Sequence, residues 1–426
     1  MPYPEMYAIR QKFAREREPD LPGAVRRELR KALAQGGIRP GARIGIAAGS
    51  RGVKNIAVII RTLVEEFRRA GAEPFIFPAM GSHGGATAEG QARVLAHFGI
   101  TADTMGCPVL SSMAAIKVGE SREGIPVFLD RYASEADHVV AVNRVKAHTE
   151  FKGEIESGIM KMLLIGMGKQ EGARVYHKAF ADYGFDRLVE SLASVAIEKS
   201  RIFFALATIE NAYDETALIR GLLPGEIVAS ERALLRKAKE LAPSLPFDEA
   251  DVLIVDEIGK NISGAGMDTN VIGRFYNIVA REPEKPKIKR IYARSLTPES
   301  MGNATGVGLA DFIHRGLADR MDPRATATNC LTAGNPEKAR VPIICESDRE
   351  GVDFCLGSIG LTPPEDARLI RIRSTLHLTE VDISRALAGE IEGRADLELL
   401  AGPAPLEFDS EGGLGPMLSL ALGTVR

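Results

Sequence analysis

The side chains of this chain that are suited to chemistry gather early: Arg51, His83, His148, Lys161 and His177 all precede residue 180. A histidine titrates near pH 6.5 and can take up or return a proton at neutral pH. An arginine offers a planar fork that matches a carboxylate. A lone loop histidine is ordinarily a surface hydrogen-bonding residue. His83, however, stands in Gly81-Ser82-His83-Gly84-Gly85, where glycines let backbone and ligand approach closely. Arg51, in the turn Gly49-Ser50-Arg51-Gly52, can cap a helix; its place at a strand end favours binding an anion. Lys161 lies between Met160 and Met162 in an apolar stretch. Such a lysine most often reaches out to water, yet semi-burial would lower its pKa and make the amine nucleophilic. His177 follows sixteen positions later, which on one continuous helix is a separation of roughly 24 Å. A break at Gly166-Met167-Gly168 would let both face one site, and spacing leaves the two arrangements open. His97 and His314 read as structural residues on helices and His138 as structural at a strand start, while His377 fits either role.

Short β-branched runs alternate with amphipathic stretches through the first half, the pattern of βαβ units and a parallel sheet. The pattern predicts strands at Arg43–Ala48, Glu73–Phe77, Asp137–Val142 and Arg201–Ile209, and helices at Asn55–Ala70 and Thr87–Phe98. In an open parallel sheet, ligands bind beyond the carboxyl ends of the strands. The first three strands lead into the segments that hold Ser50 and Arg51, then His83, then Asn143, Arg144, Lys146 and His148, so three loops should meet at one sheet edge. The two prolines of Leu241–Phe247 mark a boundary, giving an N-terminal domain over 1–245 and a C-terminal domain over 246–426. In the second domain Asp251–Val255, Lys289–Ala293 and Val341–Cys345 read as strands, and Glu350–Gly357 and Val381–Ile391 as helices. The fold expected is α/β: two α/β domains with mostly parallel sheets and an active-site cleft between them. Lys260, just after the first strand of the second domain, is the candidate for a further substrate contact, although a solvated lysine is the default. The loop Gly302–Gly306 is a candidate anion loop, or a plain helix start.

The chain has 426 residues, 45% hydrophobic and 26% charged, the balance of a soluble protein of two or three domains. A net charge of −3 gives no global attraction to nucleic acid or to an anionic membrane. Met1–Arg17 is polar, unlike a signal peptide, and apolar runs such as Ile56–Val64 are too short to span a bilayer. Cys107, Cys330, Cys345 and Cys355 are scattered, which argues against a thiolate metal site or a disulfide framework. A cytoplasmic location is the expectation.

Arg51, His83, His148, Lys161 and His177 resemble, in order and nearly in spacing, the functional residues of the nickel-pincer lactate racemase family, over roughly Ile44 to Phe180. In that family a lysine carries, through a thioamide, a nickel-containing pyridinium mononucleotide whose sulfur–carbon–sulfur pincer holds the metal. A histidine adds a nickel ligand, two other histidines flank the substrate as acid and base, and an arginine binds its carboxylate. The resemblance implies Lys161, in Ser157-Gly158-x-x-Lys161, as the attachment lysine and His177 as the nickel ligand. It implies His83, in a Gly-x-His-x-x-x-Thr loop, and His148 as the acid–base pair, Arg51 as the carboxylate arginine, and Ser50 beside it as a cofactor contact. The chain departs from the pattern in three places. Ala48-Gly49-Ser50-Arg51-Gly52 stands for Asp-x-Thr-Arg-Pro, Gly158-Ile159 for Gly-Gly, and Ile165-Gly166 for Pro-Gly. A few extra residues also separate His148 from Lys161, and the altered loops point to a changed substrate pocket.

What the resemblance implies is a racemase or epimerase that inverts the C2 centre of a 2-hydroxy acid by reversible hydride transfer. It also implies loading by cofactor-biosynthesis proteins. Two histidines on separate loops suit this reaction, because the two enantiomers present their hydroxyls to opposite sides. One rival is an NAD(P)-dependent 2-hydroxyacid dehydrogenase, but the first turn reads Gly-Ser-Arg-Gly rather than G-x-G-x-x-G, and no acidic residue ends the second strand. The other is a non-catalytic small-molecule or metallocofactor-binding protein on the same scaffold.

Overall fold

A computed structural model describes residues 2–49, 52–277 and 281–421; Ser50 and Arg51 lie outside the described residues. The chain divides into two compact units. One comprises Ala14–His148 and Gly153–Ala242; the other Met1–Phe13, Thr149–Lys152 and Pro243–Arg426. The strands in chain order are β1 (Met6–Gln11), β2 (Arg43–Ala48), β3 (Glu73–Pro78), β4 (Ala115–Glu120), β5 (Pro126–Asp130), β6 (His138–Arg144), β7 (Ile202–Glu210), β8 (Thr216–Leu222), β9 (Glu249–Ile258), β10 (Lys287–Leu296), β11 (Phe312–His314), β12 (Ile343–Cys345), β13 (Leu369–Ile372), β14 (Glu380–Ser384) and β15 (Leu397–Ala404).

In the unit of residues 14–148 and 153–242 the sheet order is β3-β2-β6-β7-β8. All its pairings are parallel except β7 with β8. Ile44, Ile46, Val140 and Val142 are buried in one core with Ile59, Ile60, Leu63 and Phe67 of the helix Ile56–Arg69. Both faces of these strands are covered, which is why they read as continuous apolar runs rather than alternating ones. The predicted helix ends are caps. Asn55 takes a left-handed conformation before Ile56, and the Thr87 side chain accepts from Gly90 N at 3.0 Å to start Ala88–His97. Because β3, β2 and β6 are adjacent and parallel, the loops that follow them leave the sheet at the same edge.

The second unit holds the sheet β12-β11-β10-β9-β13-β14-β1-β15, parallel from β12 to β13 and antiparallel beyond. Three sequence expectations are corrected here. Strand β1, assigned above to the domain 1–245, is an inner strand of this sheet, paired with β14 on one side and β15 on the other. Val381–Ile391, expected to be one helix, opens as strand β14, because Val381 and Ile383 are fully buried in the sheet core; a short helix, Arg385–Ala388, and a 3₁₀ turn, Gly389–Ile391, follow. His314 ends β11 and caps the next helix, its Nδ1 accepting from Gly316 N at 2.9 Å. The loop 302–306 has little to offer an anion, since the amides of Ala304, Thr305 and Gly306 are already taken. Ala304 N donates to Thr326 Oγ1, Thr305 N to Asn303 Oδ1 and Gly306 N to the Lys338 carbonyl, at 3.0, 3.1 and 3.1 Å. Ser374 Oγ lies 2.9 Å from His377 Nδ1, so that histidine serves a local turn.

Charged groups inside this unit are satisfied in a network. Arg294 bridges Asp256 at 3.1 Å and Asp348 at 2.5 Å, Arg371 pairs with Asp256 at 2.9 Å, and Tyr292 Oη donates to Asp348 at 2.8 Å. The four cysteines are free and buried. Among the described residues no helix is long and apolar enough to cross a membrane.

Deleting residues 2–11 should therefore open the C-terminal sheet and leave the other unit intact. Peptide-resolved hydrogen exchange should show lost protection at 380–384 and 397–404 with unchanged protection at 43–48 and 73–78. Equal loss in both units would contradict the assignment of β1.

Candidate active site

The loop after β6 is a closed excursion. Lys146 and Ser157 pair their backbones across its neck, Lys146 N donating to Ser157 O at 2.8 Å. The fully buried carboxylate of Glu156 fills the neck, where it accepts from His148 N at 2.6 Å and Gly153 N at 3.1 Å. Lys239 balances its charge at 2.6 Å. Thr149–Lys152, between these anchors, is counted with the other unit. There Lys338, itself buried, pairs with Glu150 at 2.7 Å and donates to Thr149 O at 3.0 Å.

Lys161 ends a short helix, Ile159–Lys161, that is fixed from two sides. Asn143, near the end of β6, donates through Nδ2 to Gly158 O at 2.7 Å, and Glu231 Oε2 accepts from Met160 N at 2.9 Å. A side chain at 158 would displace the Glu231 carboxylate: a Cβ there would fall 2.5 Å from Glu231 Oε1 and 3.0 Å from Val145 Cγ2. After Lys161 the chain runs through one π-helical stretch, Met162–Gly166, closed by Met167 N donating to Met162 O at 2.8 Å. It then turns at Lys169, whose φ is +57°, into the helix Lys169–Tyr183. A single straight helix from Lys161 to His177 is thus excluded.

These elements bring two of the predicted residues into direct contact: the Lys161 amine and His148 Nε2 share a hydrogen bond. The amine donates when the imidazole carries its proton on Nδ1. Both side chains are half-buried. His83 stands at the start of a 3₁₀ turn, Gly84–Ala86, and its loop is tied to the Lys161 segment. Gly81 N approaches Gly166 O at 3.4 Å, and a Cβ on Gly166 would meet Ala79 O at 2.7 Å. Buried Gln91 donates to Gly81 O at 2.8 Å and His83 O at 3.4 Å. Gln91 in turn accepts from Lys169 at 2.7 Å, and Lys169 also donates to Pro78 O at 2.9 Å and pairs with Asp130 at 3.1 Å. Lys169 and Asp130 are both fully buried. Burial pushes the lysine down and the carboxyl up, and their pairing opposes both.

The loop that bears Ser50 and Arg51 is described only at its ends. A Cβ on Gly49 would lie 3.2 Å from Asn143 Oδ1 and 3.6 Å from Met162 Cε, so this loop starts beside the Lys161 turn. At its far end Lys54 N donates to Glu210 at 2.7 Å, and Glu210 is ion-paired with Arg144. His177 is exposed on the helix Lys169–Tyr183. Lys260 lies in the second unit, half-buried, with Nζ donating to Gly264 O at 2.5 Å and its backbone N to Ser300 Oγ at 2.9 Å. Among the described residues no group of three or more His, Cys, Asp or Glu side chains is placed to hold a metal ion.

Sequence reasoning missed Glu156, Glu231, Lys239, Gln91 and Lys169. The local signals were Glu156 and Lys169 standing inside the segment that carries His148 and Lys161, and Gln91 standing eight residues after His83; Glu231 and Lys239 are distant in sequence and gave none.

An α/β protein with a lysine–histidine pair at the carboxyl edge of a parallel sheet is what the fold and site define. Residues 24–187 match the sequence profile of the lactate racemase N-terminal domain, so this part of the chain is similar to that domain. No curated protein matches it by sequence. Among solved structures, the lactate racemase apoprotein from Thermoanaerobacterium thermosaccharolyticum is similar in fold, with a TM-score of 0.50, 13% identity, and coverage of 85% of this chain and 93% of that one. A protein from Thermotoga maritima aligns at a TM-score of 0.49 and 14% identity, over 66% of this chain and 72% of its own.

Glu231 yields a pH prediction. Burial raises its carboxyl from the ordinary 4.5 to about 7. A carboxyl raised in the folded state contributes stability that is full below the unfolded value and is lost as pH rises through the folded one. From pH 4.5 to above 7 that loss should be about 3 kcal/mol. Urea unfolding across this range should show wild type losing stability relative to Glu231→Gln; parallel curves would mean that Glu231 titrates normally.

Proposed function

We propose that this protein is a racemase or epimerase that inverts the C2 centre of a 2-hydroxy acid, using a nickel-pincer pyridinium mononucleotide carried on Lys161. The observation that carries the reading is the Lys161–His148 contact at the edge where three parallel-strand loops emerge, inside the segment that matches the lactate racemase N-terminal domain. The residues fit such a group. Lys161 is a half-buried amine on a rigid turn, hydrogen-bonded to a base that can take the proton an ammonium must lose before it is acylated. His177 offers a single imidazole nitrogen, which suits a metal whose other ligands belong to the bound group.

When bound, the cofactor supplies the acceptor for the hydride of the substrate's C2. The chain's own residues do the rest. His83 and His148 serve as base and acid at the substrate hydroxyl, one for each enantiomer. With its nitrogen acylated, Lys161 would carry no ammonium charge, and His148 Nε2 would be available to the substrate hydroxyl. Arg51 binds the carboxylate, Ser50 contacts the nucleotide, and Lys260 is a further substrate contact. The longer His148 loop and the altered Arg51 turn point to a changed substrate pocket on the same reaction. Loading requires the proteins that synthesise the cofactor.

The test is a peptide mass map with metal analysis on protein co-produced with a complete cofactor-synthesis pathway. The expected result is a thioamide-linked pyridinium mononucleotide on Lys161 with nickel bound. An unmodified Lys161, in a preparation where a known family member is loaded, would overturn the reading in favour of a dehydrogenase or a binding protein. On loaded protein, His83→Ala and His148→Ala should each abolish net inversion, by at least about 10²-fold, and keep nickel. His177→Ala should lose the metal; an unchanged nickel content would remove it as a ligand.

A further inference from the structure

The helix Ile227–Leu241 begins 40 residues after the family match ends (227 − 187) and bears none of the residues that the sequence pattern pointed to. Three of its side chains nonetheless reach the segments that bear Lys161 and His148. Glu231 Oε2 accepts from Met160 N at 2.9 Å, at the start of the turn that ends in Lys161. Lys239 pairs at 2.6 Å with Glu156, whose carboxylate holds the backbone of His148 and Gly153. Arg232 pairs with Glu154 of the same loop at 3.1 Å. Glu231 and Lys239 are two helical turns apart on one face, a span of about 12 Å.

We propose that this helix is the positioning element of the Lys161–His148 pair, with Glu231 and Lys239 as its positioning residues. Glu231 fixes the turn that presents the amine, and Lys239 acts through Glu156 to hold the imidazole opposite it. The proposal deepens the function proposed above and rests on it for the roles of Lys161 and His148. The fit at Glu231 is close: its Oε1 occupies the space a side chain at 158 would need, 2.5 Å from a Cβ built there. The carboxylate is therefore packed against the turn and is not a distant cap. At the other end, Glu156 is fully buried. Without Lys239 its charge loses its counterion, and the least costly relief is for the loop to open and hydrate it. That opening would carry His148 away from Lys161. The same helix supplies a control of equal charge in Lys237, which pairs instead with Glu16 at 2.7 Å and Glu240 at 3.7 Å.

The experiment uses the full-length, unmodified protein and reads two quantities: hydrogen exchange in peptides covering 146–157, and the titration midpoint of the His148 imidazole by nitrogen-15 NMR. Lys239→Met should raise exchange in this segment about tenfold and shift the His148 midpoint. Lys239→Arg should restore both, and Lys237→Met should change neither. Glu231→Gln, which keeps an acceptor for Met160 N, should leave that amide protected, whereas Glu231→Leu should expose it and change the rate at which acetic anhydride labels Lys161. Where Glu231→Leu does not fold, the Lys239 series decides. An unmoved His148 midpoint in Lys239→Met, or the same changes in Lys237→Met, would overturn the proposal. None of these readouts needs the cofactor, so an unmodified Lys161 in the loading experiment would reject the function and leave the positioning result standing on its own.

Discussion

A carboxylate taken out of water must find donors or give up its charge, and in this protein Glu156 and Glu231 meet that constraint with the backbone of the site itself. The amides nearest to hand belong to His148, Gly153 and Met160, so satisfying the two carboxylates also locates the imidazole and the lysine turn. The two are met differently. Glu156 is ion-paired with Lys239 at 2.6 Å, whereas burial pushes the Glu231 carboxyl up to about 7. The Lys161–His148 contact thus depends on groups that neither residue touches.

The His83 side of the site is held by a buried ion pair used in the same way. Lys169 spends its donors on Asp130, on Gln91 and on the carbonyl that ends β3, and Gln91 passes the constraint on to Gly81 and His83. Backbone meets backbone here. Ala79 to Gly81 and Ile165 to Gly166 approach so closely that a Cβ on Gly166 would collide with a carbonyl. A buried pair of this kind is poor value as stabilisation, since desolvation offsets much of the attraction. Its evident use is to fix where β3 ends and where the histidine loop begins.

The departures from the family pattern follow packing. Gly158 is kept, and Glu231 leaves no room for a side chain there; the second glycine of the pattern is Ile159, which is fully buried in the core. Likewise Gly166 is kept where the backbones touch, and Ile165 stands in for the proline.

Much of this was legible in the residues. The βαβ pattern determined the strands β2, β3 and β6, and the strand-end rule then brought the loops of Arg51, His83 and His148 to one edge, because parallel neighbours must end on the same side. Gly166-Met167-Gly168 offered a break in the chain, but spacing alone left a continuous helix equally open, and the structure decided for the break. What the sequence could not decide were partnerships between residues far apart in the chain. Glu231 lies 73 residues beyond Gly158, Lys239 lies 83 beyond Glu156, and β1 pairs with strands 370 or more positions away. Val381–Ile391 was misread for the same reason, since a short apolar run looks alike in a helix and in a strand until its neighbours are known. Local sequence dictates periodicity and turn chemistry, which are short-range. Which buried charge meets which backbone amide is settled only when the whole sheet has closed and water has been expelled, and that is a property of the tertiary structure alone.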